Sequence, residues 1–355
     1  MTLLSFSCRD FRCLAEAAMD PDPRYNLIYG PNASGKTSVL EAMAYLGRGK
    51  SFRSAPADRL VRHGAEEFVL VGRVAQGGRA LSLGVQNGRT GLEVSVGGDR
   101  RGGVAELAEV LPLQIVDPEV HDLVAGGPEE RRRYLDWIAF HVEPTFLEQW
   151  RRFRRALKQR NAALRDAAPA PELAGWDREF TEAALRVHEA RRRCLALAEP
   201  VLRATAGELL GSGIAFEYQQ GWAADETLPQ ALARGLERDR QLGSSRSGPQ
   251  RADLRLSYDD RQARKLVSRG QQKLLACTLI LGATEVVQRH LGRALLLLLD
   301  DPAAELDEAS LGRLMTAVTA LGCQVVATAL QPDRPLFPSP PRTFHVEQGR
   351  LRQVE

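Results

Sequence analysis

Apolar and polar positions change their rhythm several times along the chain, and the changes mark out its elements. Leu3, Leu4 and Phe6 open the sequence, and Tyr25-Asn26-Leu27-Ile28-Tyr29 runs directly into a glycine-rich segment, so both stretches predict strands. A helix is predicted from Thr37 to about Leu46, and residues 68–98 alternate apolar and polar side chains between glycine-rich breaks, as an antiparallel meander does. From roughly residue 120 to 210 the rhythm is helical, and Pro144, Pro171 and Pro200 are expected to divide it into several helices. A loop at residues 243–249 precedes strand, helix, strand, helix and strand toward the C-terminus. The predicted fold is α/β at both ends of the chain with a mainly helical insertion, giving a head of residues 1–120 plus 243–355 and a lid-like second domain of residues 121–242.

Composition narrows the classes of function. The chain has 355 residues, 44% apolar and 26% charged, ordinary for a soluble globular protein of two domains. The net charge is only +3, so a polyanionic partner has to be argued from local patches. Five cysteines without a CxxC pair and six scattered histidines offer no metal-ligand spacing; reduced thiols in a cytoplasmic protein are expected. The longest apolar run, Ala294 to Leu299, is too short to span a bilayer and fits a buried parallel strand, so no membrane association is expected.

Three motifs carry chemistry. Gly30-Pro31-Asn32-Ala33-Ser34-Gly35-Lys36-Thr37, followed by Ser38, matches GxxxxGK[ST] between a predicted strand and a predicted helix. Such a loop turns backbone N–H groups and a helix N-terminus toward phosphate oxygens; Lys36 would reach the outer phosphates and Thr37 would ligate Mg²⁺. The motif alone does not choose between ATP and GTP. The apolar strand at Leu295–Leu299 delivers Asp300-Asp301, with Asp300 the expected second Mg²⁺ anchor. Asp301 is open between a base for the attacking water and a helix cap. Ser268-Arg269-Gly270-Gln271-Gln272-Lys273 precedes the apolar helix Leu274–Leu281 and resembles the signature of ABC ATPases, in which Ser268, Gly270 and Gln271 would face the γ-phosphate held by a second chain.

The combination resembles the RecF family, related to the heads of SMC proteins. The resemblance rests on GPNASGKTSVLEA at 30–42, LGRGKSFR at 46–53, GGPEERRRYLDW at 126–137, LKQRNAALR at 157–165, SRGQQK at 268–273, LLLLLDDPAAELD at 295–307 and FHVEQGR at 344–350. It implies an ABC-type ATPase head, ATP and Mg²⁺ as ligands, an ATP-dependent homodimer, and non-sequence-specific binding to duplex and to single-strand/double-strand junction DNA. It also implies loading of recombinase at gaps with RecR and RecO. By the same resemblance Gln114 takes the place of the glutamine-loop residue, catalytic and Mg²⁺-sensing. The chain departs from the family at Gln250, where His is usual, and from ABC ATPases at Thr328, where the switch histidine is missing. Asp301 stands where transporter ATPases carry the longer Glu, and a slow hydrolysis that times release follows from it.

DNA candidates are arginine-rich stretches of the insertion, foremost Arg151, Arg155 and Lys158, which share one helix face. Residues 121–200 hold 15 basic and 13 acidic side chains, so the region as a whole is not basic. Lys50 and Arg53 form a second patch, open between DNA contact, nucleotide sensing and plain surface charge. Three other readings compete: a transporter ATPase subunit, an SMC-type chromosome organiser, and a P-loop kinase. The second lacks its coiled coil and the third leaves Ser268–Lys273 without a purpose.

Overall fold

The structure is a computed structural model that describes all residues except 54–55, 90, 100–101, 212, 259–260, 264–267, 333–335 and 355. It divides into two compact units, Met1–Val120 with Gly292–Glu355, and His121–Leu291.

The first unit holds two sheets. One is antiparallel, in the order β2 (Leu14–Met19), β1 (Thr2–Phe11), β4 (Glu67–Gln76), β5 (Arg79–Gly88), β6 (Gly91–Val96). The other runs β14 (Arg350–Val354), β13 (Arg342–Glu347), β3 (Tyr25–Tyr29), β12 (Gln324–Ala329), β11 (Leu296–Leu299), β7 (Leu113–Val116), parallel except for the terminal hairpin. Helix α1 (Lys36–Arg48) touches strands of both sheets and is buried continuously from Ser38 to Gly47. A helix covered on every side needs apolar or small residues all round, and VLEAMAYLG supplies them with Glu41 as the exception. Phe11, Tyr45 and Phe68 meet edge to face beneath it, with Phe11–Phe68 and Tyr45–Phe68 centroids 5.0 and 5.1 Å apart. The short helix α2 (Val104–Val110) closes this core through Leu107, and α9 (Glu308–Ala320) links β11 to β12.

Register in the parallel sheet decides where chemistry can gather. Tyr29 pairs with Ala329, Ala327 with Leu299, and Leu299 with Val116, so β3, β12, β11 and β7 end at one edge. Loops leaving the carboxyl ends of parallel strands are where such sheets bind ligands.

The second unit contains α3 (Asp122–Ala125), α4 (Pro128–Val142), α5 (Phe146–Arg165), α6 (Ala170–Leu210), α7 (Leu228–Leu242) and α8 (Arg269–Leu291), with the antiparallel strands β8 (Ile214–Gln219), β9 (Asp253–Tyr258) and β10 (Arg261–Gln262). Two sequence expectations differ from it. Residues 243–291, assigned to the head from sequence, pack with the helices instead, because β9 pairs with β8 and α8 lies along α6. Pro200 does not end a helix: α6 runs 41 residues through it. An interior proline costs about 3 kcal/mol. The fully buried Ala198, Leu202, Ala206 and Leu209 on the same helix offset that cost, and Gly282 of α8 lets Leu202 approach so closely that a Cβ there would lie 2.6 Å from its Cδ2.

Candidate nucleotide site

The phosphate loop leaves β3 and enters α1 through backbone that only small residues allow. A Cβ on Gly30, whose φ is +155°, would sit 2.1 Å from the carbonyl oxygen of Val346, and Gly35 caps α1 at φ +115° with Cys13 Sγ 3.1 Å from a Cβ placed there. Gly349 N donates to the Ser34 carbonyl at 2.9 Å, so the β13–β14 hairpin backs the loop. The first turn of α1 has neither a side-chain cap nor an acidic residue. Its N–H groups therefore face outward with the positive end of the helix dipole, an anion site by construction. Ser34 Oγ is buried and has no hydrogen-bond partner among the described residues, and Pro31, Asn32 and Ala33 are exposed above it. This donor set fits a polyphosphate.

The ends of β11 and β12 meet the first turn of α1 on the acidic side. Thr37 Oγ1 lies 3.1 and 2.9 Å from the two carboxylate oxygens of Asp300, although 263 residues separate them. Thr328 Oγ1 donates to Asp300 Oδ1 at 2.8 Å and accepts the Asp301 N–H at 2.9 Å. Burial pushes the Asp300 carboxyl above its ordinary pKa; the Thr328 and Thr37 hydrogen bonds pull it back, and the Asp301 charge opposes them. Asp301 has φ +47°, a left-handed conformation that Asp tolerates better than most residues. Lys36 Nζ donates to the carbonyls of Gly30 and Pro31 at 2.7 and 2.8 Å. Burial lowers its pKa, while Asp301 and Asp300 hold the ammonium charged. A hydroxyl–carboxylate pair (Thr37, Asp300), an ammonium and an uncapped helix thus converge at one sheet edge.

The comparisons with known proteins decide the family. The RecF/RecN/SMC N terminal domain family matches residues 2–335. A DNA replication and repair protein RecF from Pseudomonas fluorescens is 40% identical over 100% of this chain and 99% of its own length, and the RecF of Erwinia tasmaniensis is 39% identical over 99% and 98%. The chain belongs to the RecF family. A solved structure of the recombination mediator protein RecF with ATP superimposes with a TM-score of 0.90 at 23% identity, over 100% of this chain and 98% of that one. An Smc head domain from Pyrococcus furiosus, bound to the C-terminal domain of ScpA, aligns with a TM-score of 0.60 at 12% identity over 99% of this chain and 96% of that one. The fold is the ABC-type head shared by RecF and SMC proteins.

RecF-family resemblance drew Gln114 toward the nucleotide, and the structure puts it elsewhere. Gln114 pairs with Leu297, three positions below Asp300, or about 10 Å along the strand. Its buried Oε1 accepts from Arg48 Nη2 at 2.9 Å near the far end of α1. The residue level with Asp300 on the neighbouring strand is Asp117, one past the Leu299–Val116 pair. Burial raises its pKa to about 6, with Glu119 and Asp300 adding to the shift and Arg48 opposing it. Sequence reading passed over Asp117 because an acid before Pro118 looks like a turn residue. Glu41 was also missed: fully buried on α1, it takes a bidentate pair from Arg12 at 2.6 and 2.9 Å and a 2.5 Å bond from Ser51. A Glu inside an otherwise apolar helix is the signal that could have found it. Arg53 follows that anchor by two residues, its N–H on Ser51 Oγ, and its charge lowers the Asp300 pKa.

The signature segment lies in the second unit. Ser268 Oγ accepts from Gln271 N at 3.3 Å and Gln271 Oε1 accepts from Ser268 N at 2.9 Å, a reciprocal capping box that starts α8 with Gly270 in its first turn. Both side chains are exposed.

Most of the arginine clusters are spoken for. Arg131, Arg160 and Arg191 are buried and paired, Arg133 pairs with Glu129 and Glu130, Arg152 with Glu179 and Glu182, Arg192 with Glu189, and Arg193 with Glu143. Arg151, Arg155 and Lys158 are exposed and make no hydrogen bond or ion pair among the described residues; Arg154 lies 5.5 Å over the Trp150 ring. These four occupy one face of α5. Lys50 sits at the surface just past α1 and has a polar contact of its own. No described helix is long and apolar enough to cross a membrane, and no described group of three His, Cys, Asp or Glu side chains forms a metal cluster.

Proposed function

We propose that this chain is an ATP-dependent DNA-binding recombination mediator: two copies close on ATP, bind duplex or junction DNA, and reopen after slow hydrolysis. The observation that carries the reading is the Thr37–Asp300 pair at the foot of an uncapped, glycine-bounded helix N-terminus. RecF relatives at about 40% identity along the whole chain, and the solved RecF fold with ATP, support it.

In this reading the loop N–H groups of residues 30–38 and Lys36 hold the phosphates, and Thr37 and Asp300 hold Mg²⁺, which neutralises phosphate charge when bound. Asp301, left-handed in backbone and with its N–H held by the Thr328 hydroxyl, accepts a proton from the attacking water. Exposed Ser268 and Gln271, with Gly270 between them, close over the phosphates of the second copy. The cationic face of α5 meets the sugar–phosphate backbone without reading bases. RecO and RecR are the expected partners at gaps, in line with the RecFOR pathway named for the solved relative.

The test is duplex-DNA binding by the full chain with ATP and Mg²⁺, with ADP, and without nucleotide. Salt-sensitive binding seen only with ATP and lost in Lys36→Met supports the reading. Equal binding in all three states removes the link between nucleotide and DNA.

A further inference from the structure

Two buried arginines of the helical unit, Arg160 and Arg191, reach one loop, and a third, Arg131, holds the strand β9 that follows it. Arg131, Arg160 and Arg191 come from α4, α5 and α6 and are 5%, 0% and 2% exposed. Arg131 grips Asp253 through Nε at 2.7 Å and Nη2 at 3.2 Å. Arg160 Nη1 donates to Ser245 Oγ at 2.6 Å and to Asp239 Oδ2 at 2.8 Å, while its Nε holds Asp177. Arg191 Nη1 donates to the Pro249 carbonyl at 2.7 Å, its other edge fixed by Asp136.

Lesser bonds fill the gaps between these anchors. Asn161 Oδ1 accepts from Ser245 N and Oγ at 2.8 and 2.7 Å, and Asp239 Oδ1 accepts the Arg246 N–H at 2.9 Å. Gln250 Nε2 donates to the carbonyls of Ser245 and Ser247 at 3.2 and 3.0 Å, and Arg132 Nη1 to that of Ala252 at 2.8 Å. Gly248 bends the loop at φ +131° against Phe180, where a Cβ would come within 2.8 Å of Cζ. Burying a guanidinium costs several kcal/mol even when it is paired, and apolar replacements often match its stability. Two such groups on the loop, with Arg131 fixing the strand after it, specify that loop's shape more than they add stability.

The shape has an exposed side, and it is cationic. Arg246 and Arg251 are exposed and form no side-chain hydrogen bond or ion pair among the described residues. The acid at the loop's base, Asp239, is buried and already committed to Arg160 and the Arg246 backbone. The loop also joins α5: the stem of Arg165 crosses Gly243, where a Cβ would lie 2.5 Å from its Cγ, and Arg165 Nη1 donates to the Gly243 carbonyl at 3.3 Å. Lys158 is exposed one turn before Asn161 on the same helix. From Arg151 to Arg165 the helix spans about 21 Å, long enough to follow several phosphates of one strand.

We propose that the loop Ser245–Arg251, with Arg165 of α5, is a preorganised binding site for the sugar–phosphate backbone of DNA, continuing the row of cations on α5. The proposal rests on the DNA-binding reading above. The donors are guanidinium and serine groups with no aromatic ring or amide displayed for a base, so the contact is to phosphate and indifferent to sequence. A repeating polyanion, rather than a single acidic protein patch, matches a cationic row of this length.

The experiment is the affinity of the full chain, with ATP and Mg²⁺, for a fluorescein-labelled duplex by anisotropy at 50, 100 and 200 mM salt. Arg246→Glu/Arg251→Glu is compared with wild type and with Arg203→Glu/Arg234→Glu, which reverses two exposed arginines of the same unit that already have ion-pair partners. We expect the loop variant to bind at least tenfold more weakly at 100 mM, with the slope of log K against log salt shallower by about 2. The control should stay within twofold of wild type. Ser245→Ala, which keeps every charge and frees one anchor, should weaken binding severalfold without changing the slope. A loop variant with wild-type affinity and slope overturns the site, as does a control that weakens equally. Wild-type protein that binds no duplex at any salt overturns the DNA-binding reading itself.

Discussion

Thr328 and Asp300 are joined by a 2.8 Å hydroxyl–carboxylate bond, and the same hydroxyl accepts the N–H of Asp301 at 2.9 Å. One threonine therefore ties the carboxylate of the expected Mg²⁺ anchor to the backbone of the expected base. Thr328→Val keeps the shape and removes both bonds. It should lower kcat for ATP hydrolysis at least tenfold with KM changed less than threefold, and Thr328→Ser should recover most of the rate. Equal losses in both variants would mean that the hydroxyl does not position the pair.

Gly30→Ala tests the loop's backbone. The added methyl would lie 2.1 Å from the Val346 carbonyl, so the phosphate loop has to shift. Binding of a fluorescent ATP analogue should weaken by tenfold or more. Gly312→Ala, where nothing lies within 4 Å of the new methyl, should leave it unchanged.

Glu41 ties the β1–β2 turn to the segment after α1 by its bonds to Arg12 and Ser51. Removing one partner of a buried ion pair costs about 3–5 kcal/mol. Arg12 is 21% exposed, which reduces the figure, so Glu41→Gln should destabilise the protein by about 2 kcal/mol in denaturant melts. A stability equal to wild type would show that Arg12 and Ser51 are held by other contacts.

Asp117 gives a pH signature. Burial lifts its pKa from an ordinary 3.8 to about 6, so between these values the folded chain binds more protons than the unfolded chain. Stability contributed by this group is therefore present at low pH and lost as pH rises from about 4 to about 6. Asp117→Asn should be more stable than wild type at pH 7.5 by about 1–2 kcal/mol, with the difference vanishing near pH 4. A difference independent of pH would mean that Asp117 is ionised normally in the folded state.

Much of this was legible from sequence, for reasons particular residues make plain. Thr37 and Asp300 were foreseen as partners because their motifs are contiguous and each follows an apolar strand. The meander at 68–98 was foreseen because one face is buried and the alternation is clean. Pro200 misled because a local rule was applied where tertiary packing from Leu202 and Gly282 prevails. Residues 243–291 were misassigned because pairing of β9 with β8 is a contact that no periodicity records. The burial of Arg131, Arg160 and Arg191 within the arginine-rich stretches considered for DNA contact was not legible, since a run of arginines does not show which member turns inward.

The central claim is that the nucleotide site is completed by a second copy, and solution mass by light scattering tests it most directly. The full chain would be measured without nucleotide, with ADP, and with ATP and Mg²⁺, beside Lys36→Met, Asp301→Asn and Ser268→Arg. The account predicts a doubling of mass with ATP alone, absent in Lys36→Met and Ser268→Arg and prolonged in Asp301→Asn. A mass that never changes with ATP, in a protein shown to bind it, would contradict the two-chain site and favour a monomeric P-loop enzyme.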